Sequence, residues 1–366
     1  MDHLALFDAD LSPTEAVLPQ PMPAAASVAP AVAASIAPAV AASIAPGSAA
    51  TVLGPTVLVI DGNSLAHRGY HAYAARRDDG DLVGAGLYGF LALLAAVVDM
   101  VRPESVVVGF DCRESSIRKD WWPTYKGQRP DKPDVLDALL DEIPVALRAL
   151  GAYVVSHRGY EADDVCGSVA ATATAARRRC VVATSDRDAF ALVSDTTSVL
   201  RIRSGMHRAQ DIDARRLRRD LGIAPGQYTE FAALRGDASD NLPGINGIGP
   251  KRARDLLRRF PTVADAVADP LGCRSVLGPE VGQALIDDLA SSDSVFHRNV
   301  ALMTMTKDLP IDLDAGRPTT PISTIDSYLR GRSLAGLIAR LALCFGTAPQ
   351  AAAPPLTDAD APPLAL

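Results

Sequence analysis

Nine carboxylates stand out by their placement: Asp61 in VIDGNSLAHRGYHA, Asp111 in VGFDCRES, Glu161, Asp163 and Asp164 in GYEADDV, Asp186 and Asp188 in TSDRDAF, and Asp237 and Asp240 in RGDASDNLPG. Taken singly, each has an ordinary use as a turn or helix cap. Gathered at one place they repel: two unit charges about 6 Å apart cost roughly 3 kcal/mol at an effective dielectric of 20. Bound cations remove that cost. A donor set made only of carboxylates suits the hard ions Mg²⁺ or Mn²⁺ rather than zinc. Two such ions about 4 Å apart can activate a water and stabilise the leaving oxygen of a phosphodiester. The chemistry indicated is metal-dependent phosphoryl transfer to water.

The elements that must position these acids follow from the apolar patterning. TVLVI (56–60) reads as a buried strand ending at Asp61, LYGFLALLAAVVDMV (87–101) as a helix, and SVVVGF (105–110) as a strand ending at Asp111. VLDALLDEIPVALRALG is a helix with an interruption expected at Pro144, YVVS a strand, DDVCGSVAATATAARRR a helix, and CVVAT (180–184) a strand just ahead of Asp186. This alternation predicts an α/β domain with a mostly parallel sheet covered on both faces. Sites in such sheets lie beyond the carboxyl ends of the strands, where three strands each deliver an aspartate.

Two basic stretches complement the acids. SSIRKDWWPTYKGQRPDKP (115–133) sets Arg118, Lys119, Lys126, Arg129 and Lys132 among Trp121, Trp122 and Tyr125, a mixture suited to stacking bases and holding phosphates of a single strand. LPGINGIGPKRARDLLRRF (242–260) is a Gly-rich hairpin opening a basic helix, without the G-K-[ST] of a Walker loop. Backbone N–H groups and a helix start favour a phosphate backbone there, with no reading of bases.

Joined into five motifs, VIDGNSLAHRGYHA, FDCRESSIRKDWWPTYKGQR, GYEADDV, ATSDRDAF and GDASDNLPGINGIGPKRA, these segments, in this order and spacing over residues 56–346, resemble the 5′ nuclease family: flap endonucleases and the 5′-3′ exonuclease domain of DNA polymerase I. The resemblance implies a PIN-like nuclease domain with a mostly parallel sheet flanked by helices, and a helical helix-three-turn-helix DNA-binding domain. It implies that Asp61, Asp111, Glu161 and Asp163 hold a first Mg²⁺ or Mn²⁺, that Asp186, Asp188 and Asp240 hold a second, and that Asp164 and Asp237 act directly or through metal-bound water. Arg118 and Tyr125 belong to the DNA-holding arch; Lys126 and Arg129 match its functional basic residues, expected to neutralise charge at the scissile phosphate. Gly247, Gly249, Lys251 and Arg252 match the duplex-gripping hairpin, with K⁺ as a further ion there. The partners implied are DNA with 5′ flaps, nicks or 5′ ends, and RNA–DNA junctions. Two rival readings are a PIN-type single-strand ribonuclease, which the hairpin speaks against, and a non-catalytic junction binder, for which some of the acids should be missing.

The expected organisation is a tail (1–55), a nuclease domain (56–220), a DNA-binding domain (221–290), a packing cover (291–346) and a second tail (347–366), acting as a free-standing monomer in the bacterial cytoplasm. APAVAASI at 29–36 repeats letter for letter at 37–44, and such Ala/Pro composition reads as a tether. Ahead of it, His3-Leu4-Ala5-Leu6-Phe7 resembles the sliding-clamp-binding motif Q-L-x-L-F, with His in place of Gln. No membrane segment or signal peptide is read, because the apolar N-terminal stretch follows an acidic start and is cut by prolines. The five cysteines, 112, 166, 180, 273 and 344, show no C-x-x-C spacing and fit a reducing compartment. A net charge of -7 argues at face value against a polyanionic partner, yet the two tails hold six of those charges. Setting the nine acids aside turns the remaining body from one negative to eight positive.

Overall fold

The computed structural model describes residues 53–75, 80–203 and 206–347. The clamp-like peptide, the repeat-containing tether and the C-terminal tail lie outside the described residues. The chain opens with β1 (Gly54–Asp61), α1 (Gly62–Gly69), α2 (Leu82–Val101) and β2 (Ser105–Gly109). It continues through α3 (Ile117–Trp121), α4 (Asp134–Ala149), β3 (Tyr153–Val155), α5 (Ala162–Ala175), β4 (Arg178–Thr184), β5 (Thr197–Arg201) and β6 (Gln210–Ile212). The strands form one sheet in the order β3-β2-β1-β4-β5-β6. All neighbours are parallel except β5 and β6. Leu58 of β1 lies opposite Val106 of β2 and Val181 of β4, and Val57–Ile60 are fully buried, as a central strand covered on both faces requires.

The chain winds outward from β1 to β3 and then crosses back to β4 on the other side of β1. The crossovers therefore diverge between β1 and β4 and leave a crevice beyond their carboxyl ends. Strand order is what brings Asp61 and the Asp186 segment to one crevice.

The helical remainder comprises α6 (Ala214–Leu221), α7 (Tyr228–Arg235), a short ribbon β7 (Gly236–Asp237) and β8 (Leu242–Pro243), α8 (Pro250–Arg259), α9 (Val263–Ala268), α10 (Pro270–Leu277), α11 (Pro279–Ala290), α12 (Val295–Met303), α13 (Ile322–Gly331) and α14 (Ile338–Phe345). The stretch expected as a single cover has two roles. Its first part, Leu302–Met305, walls the acidic crevice, whereas Ile325, Leu329, Leu341 and Phe345 of α13 and α14 join the core around Phe90, Leu91 and Leu94 of α2. That packing accounts for the composition of α2, the one helix among the described residues long and apolar enough to cross a membrane, half of which is buried in the protein. The break expected at Pro144 does not occur, and α4 runs through it. Its buried stripe, Leu136, Leu139, Leu140, Ile143, Ala146 and Leu147, continues past the proline, and that burial outweighs the roughly 3 kcal/mol an interior proline costs.

Candidate active site

Asp61 ends β1 and caps α1, its Oδ1 accepting from Ser64 N at 2.9 Å and its Oδ2 from Thr184 Oγ1 at 2.8 Å. The ordinary cap and the site acid are thus one residue. Asp111, two residues past β2, is clamped by Asn63, whose Nδ2 donates to Asp111 Oδ2 at 2.9 Å and whose Oδ1 accepts from Asp111 N at 3.0 Å. The N–H of Ala162 donates to the other carboxylate oxygen and ties β2 to the start of α5. Asn63 and Thr184 were not singled out in the sequence. The available signal was their spacing, each two residues from a site aspartate.

The acids form two neighbouring groups. Asp61 feels Asp111 and Asp186, Asp163 feels Asp186, Asp61 and Glu161, and Asp188 feels Asp186, Asp237 and Asp240. Asp186, exposed at the crevice mouth, links the groups. Burial first, and these like charges second, push Asp61 up to about 7. The same two causes raise Asp163 and Asp188 well above the usual carboxylate range. Among the described residues neither the Asp163 nor the Asp188 carboxylate has a hydrogen-bond or ion-pair partner, although Asp188 N donates to Asp186 Oδ1 at 3.0 Å. Among the described residues no three of these side chains converge into a ready-made ion cage. Uncompensated carboxylates do not close on one another without a cation, so the donor set fits hard divalent ions by its chemistry and its charge.

Cations of the 115–133 segment meet this charge instead. Lys126 Nζ donates to Glu161 Oε2 at 2.9 Å and Arg129 donates to Asp240 Oδ1. The segment is stitched to the Asp237–Asn241 turn: Lys126 N donates to Asp240 O, Asn241 Nδ2 to Thr124 O, and Arg129 Nε to Ser239 O. Lys126 is held at φ 55°, a left-handed conformation that costs a non-glycine residue about 1 kcal/mol or more and persists only where surroundings enforce it. Gly236 makes the same turn possible from the other side. It has φ +77°, and a Cβ there would stand 2.2 Å from Gly244 N.

Three sequence expectations are corrected. Arg118 does not face a nucleic acid: its Nη atoms donate to both oxygens of Asp164 at 2.7 and 2.8 Å, and its Nε to Leu302 O at 2.8 Å. Asp164 is correspondingly not an open ligand. It is fully buried and also accepts from Glu161 N and Thr306 N, and the Arg118 guanidinium holds its carboxyl below the ordinary range against the cost of burial. Tyr125, expected as a stacking ring, is 4% exposed and donates to Glu161 Oε2 at 3.2 Å. Trp122 lies under Arg298, so Trp121, 51% exposed, is the tryptophan left open to a base. Breaking a buried pair strands a charge, and Arg118→Gln should therefore lower stability by about 3 kcal/mol. Denaturant unfolding checks this: a midpoint unchanged from wild type would return Arg118 to the surface role.

The hairpin between β8 and α8 turns at Gly247, φ +77°, where a side chain would also press on Val281. Gly249 caps α8, and Lys251 and Arg252 stand exposed in its first turn. Arg252 also donates to Gly247 O at 2.7 Å, so this side chain buttresses the hairpin.

An acidic crevice at the switch point of a parallel sheet, bordered by cationic loops and a Gly-rich helical hairpin, defines a class of protein that handles phosphodiesters. Residues 56–222 match the family profile described as 5′-3′ exonuclease, N-terminal resolvase-like domain, and residues 223–323 that described as 5′-3′ exonuclease, C-terminal SAM fold. The chain belongs to the 5′-3′ exonuclease family. It is 36% identical over 259 residues to DNA polymerase I of Mycobacterium tuberculosis, covering 70% of this chain and 28% of that one. To DNA polymerase I of Synechocystis it is 33% identical over 220 residues, 57% of this chain and 22% of that one. The chain thus spans about a quarter of the length of these relatives. Among solved structures, the bacteriophage T5 flap endonuclease in a complex with DNA and metal ions aligns with a TM-score of 0.54 at 20% identity, over 78% of this chain and 99% of that one. Human GEN1 with Holliday-junction DNA aligns at 0.52 and 14% identity, over 80% of this chain and 71% of that one. At these identities the two structures share the fold.

Proposed function

We infer that this protein is a structure-selective 5′ nuclease that cuts DNA at 5′ flaps, nicks and 5′ ends, and acts on RNA–DNA junctions, in primer removal and repair. The observation that carries the reading is the crevice itself: unpartnered Asp163 and Asp188, with Asp61, Asp111 and Asp186, beside Lys126 and Arg129. Asp61, Asp111, Glu161 and Asp163 would hold one Mg²⁺ or Mn²⁺, and Asp186, Asp188 and Asp240 another, with Asp237 behind them. Bound there, the ions supply a water nucleophile and charge stabilisation for the leaving oxygen.

The chain's own residues do the rest. Asn63 and Thr184 fix the directions of Asp111 and Asp61. Lys126 and Arg129, here paired with Glu161 and Asp240, would neutralise charge at the scissile phosphate. Trp121 offers a ring to an unpaired base. The Gly247–Arg252 hairpin, buttressed by the Arg252 bond to Gly247 O, takes the duplex backbone and would hold K⁺ as a further ion.

The test incubates labelled 5′-flapped, nicked and single-stranded DNA, and single-stranded RNA, with Mg²⁺, Mn²⁺ or chelator. Metal-dependent release at the flap junction is expected. Cutting confined to single-stranded RNA, or undiminished by chelator, would overturn the reading. In the same assay Lys126→Ala should lower the single-turnover rate by about a hundredfold, the scale for removing one group that stabilises transition-state charge. A rate within threefold of wild type would remove Lys126 from the chemistry.

A further inference from the structure

We propose that the duplex-binding surface extends beyond the Gly247 hairpin, along α8 and onto α6, where Arg215, Arg218 and Arg258 hold phosphates of the duplex arm about four base pairs farther on. The proposal rests on the DNA-cutting reading above and adds a second contact zone to it.

Helices α6 (ARRLRRDL) and α8 (PKRARDLLRR) carry nine basic side chains against two acids, in a chain whose net charge is -7. Arg215, Arg218, Arg219, Lys251, Arg252, Arg258 and Arg259 are exposed. The two acids are already engaged, Asp220 by Arg216 and Arg219, and Asp255 by Arg254. Among the described residues Arg215, Arg218 and Arg258 have no ion-pair partner.

The helix dipole accounts for part of this charge only. It welcomes Arg218, Arg219, Arg258 and Arg259 in last turns, but disfavours Arg215, Lys251 and Arg252 in first turns that hold no acid. The two helices are also joined. Gly222, which ends α6, lies with its Cβ position 3.5 Å from Arg258 Cδ and 3.6 Å from Arg254 Cδ. Gln227 Nε2, just beyond, donates to the carbonyls of Leu257, Phe260 and Pro261. Like-charged helix ends are thereby packed together, with Asp220 and Asp255 the two acids the helices carry, and the excess of arginine is complementary to a polyanion. From the hairpin to Arg258 is nine residues of helix, about 14 Å, or roughly four base pairs of duplex.

The test measures equilibrium binding of the full chain, in Ca²⁺, to flapped DNA whose hairpin-capped duplex arm is either about 16 or about 5 base pairs long, by fluorescence anisotropy across a salt series. Arg215→Gln/Arg218→Gln should reduce the slope of log K against log salt by about two on the long arm. Between 50 and 200 mM salt the wild type should then lose about tenfold more affinity than the variant. The short arm should show no difference, and Arg215→Lys/Arg218→Lys should restore the slope. Equal slopes for wild type and the Gln variant on the long arm, or equal losses on both arms, would overturn the extension. If the wild type neither binds nor cuts flapped DNA, the functional reading itself fails, an outcome distinct from the other two.

Discussion

On the proposed function, Asp186→Ala should cut a 5′-flapped duplex about a thousandfold more slowly than the wild type, and its metal-free form should melt at a higher temperature. Both halves follow from one position. Asp186 is the charge that Asp61, Asp163 and Asp188 all feel, and it is the exposed member of the set, at the mouth where a phosphate would enter. Removing it deletes the carboxylate that links the two groups of acids proposed to hold the ions, and losing about 4 kcal/mol of transition-state stabilisation is a thousandfold in rate. Without metal the same carboxylate is a source of repulsion, so its loss relaxes its three acidic neighbours. Single-turnover cleavage and thermal melting in chelator check the two halves. Flap cutting within tenfold of wild type would remove the acidic crevice from the mechanism. A lowered metal-free melting temperature would make Asp186 a structural residue.

The second large effect is on stability against pH. Asp61 titrates near 7 in the fold, against 3.8 as its ordinary value. A raised carboxyl favours the neutral form, so the metal-free fold carries no penalty from it below about pH 4. The penalty grows as pH rises through that window and is complete above 7. Three units correspond to about 4 kcal/mol from this residue, and Asp163 and Asp188 shift in the same direction. If the acids hold divalent ions as proposed, the ions would bind the deprotonated forms and cancel the penalty. The gap in melting temperature between protein in Mg²⁺ or Mn²⁺ and protein in chelator should therefore widen from pH 5 to pH 8, reaching about 10 °C.

Two other groups act in the opposite sense. Burial, with Lys132, His71 and Arg129, holds His67 down at about 4, so its contribution is lost as pH falls below 6.5. Asp164, depressed by Arg118, is lost only in stronger acid. Both act with and without metal and drop out of the difference. A gap that is flat or narrows with pH would mean that the acids are not ion ligands.

Much of the site was legible because its signals are local. Asp61 follows a four-residue buried run, Asp111 and Asp186 stand two residues past strand ends, and the Gly247 hairpin announces itself by its glycines. Misread side chains were those whose partners are distant in the chain. Arg118 and Tyr125 have the composition of a nucleic-acid loop, but Arg118 meets Asp164 and Leu302, 46 and 184 residues away, and Tyr125 meets Glu161, 36 away. Composition cannot say which of the five cations turn inward and onto which acid, since that depends on where an uncompensated acid lies in three dimensions.

By itself, then, the sequence determined the alternation of strands and helices, the acids at the strand ends and the chemistry those acids allow. Residue type and short-range periodicity carry that information. Tertiary structure alone decided that β4 lies beside β1, so that Asp61 and Asp186 share a crevice, and that Asp164 is spent on Arg118. It also decided that Lys126 and Arg129 rest on Glu161 and Asp240, and that α13 and α14 return to bury α2. Each of these is a long-range pairing in which burial and opposite charge select one partner among several that the chain makes available.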